Sequence, residues 1–128
     1  TALAADEILV EARLPLLAAG TRCGFHKVNR RAGDFAIAMA LAAYRVEGGA
    51  IVQPRVGVGG VESRSRRIAE AEAALLGRAP GAGVFAAAAE AAAKAIDTGD
   101  ENPGIAAYQR DVTRAAVRRA LEAAEKDA

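Results

Sequence analysis

Between Ile8 and Leu14 the apolar residues Ile8, Val10, Ala12 and Leu14 alternate with Leu9, Glu11 and Arg13. A period of two belongs to a half-buried strand, and Pro15 ends it because proline lacks the donor a ladder needs. A second short strand is expected over 24–29. The stretch 36–47 is ambiguous: its alanines and Met39 favour helix, but Tyr44-Arg45-Val46 before Gly48-Gly49 reads as the end of a hairpin strand. Extended patterning resumes at Ile51, Val56 and Val58, which decides for strand. Pro54 then belongs at an edge or a bulge, where a missing amide is tolerated.

Beyond Ser63 the period changes. Ile68, Ala71, Leu75 and Leu76 recur at helical spacing with Glu70 and Glu72 between them, and Gly77 is a stop. Pro80-Gly81 reads as a linker, and 86–96 as a helix stopped by Asp97-Thr98-Gly99-Asp100. The last helix begins at Asn102-Pro103, where the fixed φ of proline suits a first turn. Its stripe Ile105, Tyr108, Val112, Ala116 and Leu121 is expected to face the core, with Arg110, Arg114, Arg118 and Glu122 on the other face. Strands over roughly 7–62 followed by helices over roughly 64–126 predict one α+β domain spanning 1–128. The expected architecture is an antiparallel sheet of three to four strands, covered on one face by about three helices.

Composition narrows the function. At 128 residues the chain can bury one core but not two. Seventeen basic against sixteen acidic residues leave almost no net field, so nucleic acid is not an expected partner. One cysteine, Cys23, excludes an internal disulfide, and with a single His it also excludes a closed zinc site of Cys and His from this chain. The expected compartment is the cytoplasm. No uninterrupted apolar run reaches the length of a membrane span. The chain opens at Thr1 without Met, which suggests a beginning inside a longer protein.

Charge is concentrated at one bend. Phe25-His26-Lys27-Val28-Asn29-Arg30-Arg31-Ala32-Gly33-Asp34-Phe35-Ala36 runs from a strand through a cationic turn into an apolar run, and loops of that kind are where sites are built. A solvated turn with local Arg–Asp pairing is the plain alternative. His26 has no sequence partner for a triad or a metal, and Cys23 reads as an inert thiol. Gly57-Val58-Gly59-Gly60 lacks the strand-to-helix context of a dinucleotide fingerprint and the Lys-Ser/Thr of a P-loop; it reads as a bulge or a close backbone approach. Arg64-Ser65-Arg66-Arg67, without interleaved aromatics, reads as a solvated helix start or an interface to an acidic neighbour.

Four segments in order resemble the C-terminal domain of the flavoprotein subunits of molybdenum hydroxylases, the carbon monoxide dehydrogenase and xanthine dehydrogenase family. Glu7-Ile8-Leu9 leading to Leu14-Pro15 is similar to its opening strand, and Phe25 to Ala36 to its cationic Gly-Asp loop. Val56-Gly57-Val58-Gly59-Gly60-Val61 resembles its glycine strand, and Tyr108-Gln109-Arg110 through Arg118-Arg119-Ala120-Leu121 its closing helix. The resemblance implies FAD, with Leu9 as the apolar ring contact, Lys27 or His26 as the polar contact, and Arg30 and Asp34 shaping the loop through an ion pair. It implies no catalytic residue and no metal ligand in this chain. It also implies a heterotrimer, in which electrons pass from molybdopterin on a large subunit through two [2Fe-2S] clusters on a small subunit to FAD and then to an external acceptor. The glycine-rich loops that hold the FAD pyrophosphate in that family are absent here, so the chain is expected to be the C-terminal part of a longer subunit and to hold FAD weakly alone. The alternative is a free-standing, non-catalytic interaction or dimerisation module with the same fold.

Overall fold

The computed structural model of the chain describes residues 3–99 and 102–126; Thr1, Ala2, Asp100, Glu101, Asp127 and Ala128 lie outside them. Strand β1 (Arg22–Val28) is followed by β2 (Ala38–Glu47), β3 (Ala50–Gly59) and β4 (Arg66–Arg67), then by α1 (Ala69–Leu75), α2 (Ala82–Ala95) and α3 (Pro103–Lys126). The strands form one antiparallel sheet in the order β1-β2-β3-β4.

Turn chemistry sets the register. Gly48 and Gly49 both take positive φ, 57° and 81°, as a tight two-residue hairpin requires, and Glu47 pairs with Ala50 across it. Further along, Ala43 pairs with Arg55 but Arg45 with Val52, so Gln53 and Pro54 together oppose Tyr44. This is the bulge expected at Pro54, with Gln53 at φ 49°. The outer edge of β3 is closed by other groups: Ile51 N donates to Arg78 O (2.8 Å), Gly77 N to Ile51 O (2.9 Å), Ile68 N to Val56 O (2.8 Å) and Val56 N to Glu72 Oε1 (3.0 Å).

The core lies between one face of the sheet and the helices. Ala38, Ala40, Ala42 and Tyr44 of β2 and Val56 and Val58 of β3 face Leu75, Phe85, Ala92, Val117, Ala120 and Leu121. Small residues on both layers let them approach closely. A Cβ at Gly24 would meet the Ala120 carbonyl oxygen and the Ala124 amide nitrogen well inside contact distance, so α3 rests directly on the β1 backbone. Tyr44 Oη donates to Glu125 Oε2 (2.7 Å), which also accepts from Arg22 Nη1 (2.8 Å), fastening β1 and β2 to the end of α3.

Three expectations are corrected. Residues 8–14 form no strand: no sheet edge among the described residues accepts them, and Ile8, Val10 and Leu14 stay 84%, 91% and 87% exposed. Arg66–Arg67 is a short strand, not a helix start, because it pairs with Gly57 and Val58. On α3 the buried stripe is Ala106, Thr113, Ala116, Val117, Ala120, Leu121 and Ala124, whereas Ile105 and Tyr108 are about half exposed. The close approach at Gly24 admits small side chains there, which rotates the buried face away from the bulkier residues.

Candidate functional site

The bend between β1 and β2 is held by its own backbone. Ile37 N donates to Val28 O (2.8 Å), Asp34 N to Arg31 O (3.1 Å) and Asn29 Nδ2 to Arg31 O (2.5 Å), and Gly33 at φ 90° turns the chain where a side chain would be strained. Lys27 Nζ reaches across to the Asp34 carbonyl oxygen at 3.1 Å. The expected ion pair between Arg30 and Asp34 does not form: Asp34 is engaged through its backbone, and Arg30 and Arg31 stand exposed with no ion-pair partner among the described residues. Phe35 is 99% exposed and, with Arg30, Gly33, Asp34 and Ile37, borders an open concavity of about 430 Å³.

Strand alternation separates the two candidates for a polar contact. Gly24 and His26 share the face of β1 that meets α3, where Arg119 Nη1 lies 3.3 Å from His26 Nε2. Partial burial, and then the nearby Arg119 charge, hold the His26 pKa below its ordinary value, which keeps the ring neutral. Phe25 and Lys27 point to the opposite, helix-free face. There one row crosses all four strands: Phe25 pairs with Leu41, Leu41 with Gly57 and Gly57 with Arg67. With Met39, Gly59 and Ser65 this row lines a shallow groove of about 610 Å³, in which Phe25 is 55% and Leu41 57% exposed. Gly57 has nothing within ordinary contact distance of a would-be Cβ except two carbonyls at 3.9 Å, so it leaves the floor open rather than admitting a packed backbone.

The groove escaped sequence reasoning, although a signal was present. On β2 the alanines Ala38, Ala40 and Ala42 are buried, while the larger Met39 and Leu41 are on the bare face, the reverse of what an independent sheet shows. Arg66, at the groove edge, donates to Glu62 Oε2 (2.8 Å) and to the Ala95 carbonyl (2.8 Å); its hydrogen bond holds the Glu62 carboxyl below the usual range. Leu9 lies 70% exposed on the opening segment, outside sheet and core. That segment passes the helix-free face further on, where Pro15, Leu16, Leu17 and Ala18 border a pocket of about 170 Å³ with Ala43, Arg45, Gln53 and Arg55.

The arrangement lacks the features of a phosphate cradle. Cations and apolar side chains share one face, whereas Gly57 and Gly59 lie within β3 and open no helix N-terminus of the kind that cradles pyrophosphate. Among the described residues no three His, Cys, Asp or Glu side chains gather as metal ligands.

Sheet, one-sided helical layer and cationic bend define a two-layer α+β domain with one bare sheet face. Residues 24–124 match the CO dehydrogenase flavoprotein C-terminal domain, and the chain belongs to that family. It is 32% identical over 124 residues to the carbon monoxide dehydrogenase medium chain of Hydrogenophaga pseudoflava, a match covering 97% of this chain and 43% of that protein. It is 30% identical over 121 residues to the nicotine 6-hydroxylase medium subunit of Paenarthrobacter nicotinovorans, covering 94% and 42%. Among solved structures, the Hydrogenophaga pseudoflava carbon monoxide dehydrogenase superposes with a TM-score of 0.79 at 34% identity, over 88% of this chain and 39% of that one. Quinoline 2-oxidoreductase of Pseudomonas putida 86 gives 0.74 at 28% identity, over 83% and 38%. The chain thus spans less than half the length of the relatives it matches.

Proposed function

We propose that this chain is the C-terminal part of the FAD subunit of a molybdenum-containing hydroxylase or dehydrogenase and walls its flavin site. FAD, when bound, takes electrons from iron–sulfur clusters and passes them to an external acceptor. The partners are the N-terminal FAD-binding half of the same subunit, an iron–sulfur small subunit and a molybdopterin-bearing large subunit, in the cytoplasm. No helix among the described residues is long and apolar enough to cross a membrane.

One observation carries this reading. Lys27 lies on the bare sheet face beside the Phe25–Leu41 row, in a chain 32% identical to a carbon monoxide dehydrogenase medium chain. A cation there stabilises the negative charge that a flavin gains on reduction, and the apolar row excludes water from the ring. Lys27 is therefore the polar contact, in preference to His26, which is turned toward α3 and held neutral. Leu9 supplies the apolar ring contact, Asp34 orients Lys27 through its carbonyl, and Arg30 offers a free guanidinium at the loop.

Lys27→Ala in the intact flavoprotein is expected to weaken FAD retention about tenfold, as loss of a hydrogen bond to a charged group does. It should also lower the flavin reduction potential by about 30 mV for each 1.4 kcal/mol of lost charge stabilisation. Arg110→Ala, on the exposed face of α3, should change neither. Flavin content and potential measured on the two variants decide the matter: unchanged values for a His26→Ala, Lys27→Ala double variant remove the loop from the site.

A further inference from the structure

A second cavity lies at the hairpin end of the bare sheet face, away from the proposed flavin contact. It holds about 170 Å³, is more enclosed than the groove, and is lined by Thr21, Arg45, Gln53 and Arg55 together with the apolar run Pro15, Leu16 and Leu17. Lys27 pairs with Met39, six positions from Arg45 along β2, which at roughly 3.3 Å per residue puts the cavity about 20 Å from Lys27. A turn fixes its wall: Gly20 takes φ 75°, and Thr21 donates to the Ala18 carbonyl oxygen from both its amide (3.1 Å) and its Oγ1 (2.6 Å).

Charge and strain converge there. Ala43 pairs with Arg55, and Arg45 follows Ala43 by two positions, so both arginines start from the same sheet face. Like charges on neighbouring strands repel unless something neutralises them. Arg45 has Glu47 as its ion-pair partner, but the Arg55 guanidinium has none among the described residues: it acts only through space on Glu72, whose carboxylate Arg67 already holds. The cavity keeps one uncompensated positive charge. Among the described residues every positive φ belongs to a glycine except that of Gln53, at 49°. Glycine takes that conformation freely, whereas a residue with a Cβ is strained in it. The strained residue here brings a side-chain amide to the cavity.

We infer that this cavity is a binding site for a short organic monocarboxylate. The carboxylate takes the parallel donors of the Arg55 fork and the Gln53 amide, and Pro15, Leu16 and Leu17 cover the carbon skeleton. One uncompensated charge calls for one carboxylate. At roughly 30 Å³ per water-sized group, about 170 Å³ takes about five or six such groups, which suits a chain of three or four carbons and is too small for a nucleotide. Inorganic phosphate shares the oxyanion chemistry but has no carbon skeleton for the apolar wall to cover.

NMR of the isotope-labelled full chain tests it, in titrations with butyrate, with inorganic phosphate and with sodium chloride at matched ionic strength. The backbone amides of Thr21, Gln53 and Arg55 should shift and saturate with butyrate, and sodium chloride should not move them. Arg55→Ala should weaken butyrate at least about tenfold, as loss of a hydrogen bond to a charged group does. Arg55→Lys should recover only part of that loss, because an ammonium keeps the charge but cannot form the fork. Gln53→Gly should weaken butyrate as well while leaving the melting temperature of the free chain no lower, since it removes the strain. Butyrate shifts no larger than those of sodium chloride, or an affinity indifferent to Arg55→Ala or to Gln53→Gly, overturn the inference. Phosphate binding tighter than butyrate with the same dependence on Arg55 overturns it in favour of an inorganic anion. None of these readouts needs flavin, so the two proposals fail separately: a flavoprotein that keeps its flavin while the chain ignores butyrate sinks this one alone.

Discussion

Gly24 decides how close the two layers come. Its missing side chain is the space occupied by the backbone of α3 at Ala120 and Ala124, and backbone atoms cannot rotate aside as a side chain can. Gly24→Ala should therefore cost about 3 kcal/mol, at the upper end of overpacking changes, because α3 must lift from β1. Urea unfolding of the two proteins would show it as a lower midpoint at similar slope; a change under 1 kcal/mol would mean the layers are further apart. Gly60 is also constrained: it takes φ 90°, and a Cβ there would lie 2.9 Å from the Ala36 carbonyl oxygen. The close backbone approach at Gly60 is the kind the sequence reading allowed for Gly57-Val58-Gly59-Gly60, whereas nothing in the sequence drew attention to Gly24. A glycine that admits a distant helix cannot be told from one that opens a turn until the helix is in place.

Among elements, β1 and α3 are coupled through a titrating contact. His26 is held neutral by partial burial and by Arg119, so its folded pKa lies below the ordinary value near 6.5 while its unfolded pKa does not. The folded state binds fewer protons over that window. Stability is complete above about pH 6.5 and falls as the pH drops from there through the lowered pKa. His26→Gln should abolish this part of the loss: between pH 7.5 and 5.5 the wild type should lose more unfolding free energy than the variant, in denaturant titrations at both pH values. Equal losses would show that Arg119 and burial do not act on the ring. The hairpin of β2 and β3, its glycine turn and the proline bulge were legible in sequence because each depends on neighbours a few residues apart. The two-residue β4 was not, since its pairing with Gly57 and Val58 arises only once the chain has folded back.

At the scale of the molecule, the described residues present a bare, partly apolar sheet face beside a cationic loop and no phosphate-cradling loop. Gly57 and Gly59 sit inside a strand, and the cationic loop ends in exposed Arg30, Arg31 and Phe35. The purified chain titrated with FAD should accordingly show no binding at micromolar concentrations and elute colourless from gel filtration. Yellow cofactor retained through the column would mean that the wall alone suffices. The bare face is the other side of the same sheet: Phe25 and Leu41 are exposed and Met39 half-buried there, whereas the alanines opposite them are buried by the chain's own helices.

The α+β class, the hairpin and the charged bend were determined by the sequence itself, because periodicity, glycine turns and proline act over short spans of chain. Which β1 side chain meets α3 and which meets the open face was decided by tertiary structure, through a strand parity that has no meaning until the sheet chooses a side for its helices. So was the fate of residues 8–14: alternation specifies a strand, but a strand exists only where an edge is available to accept its hydrogen bonds, and none is offered among the residues described.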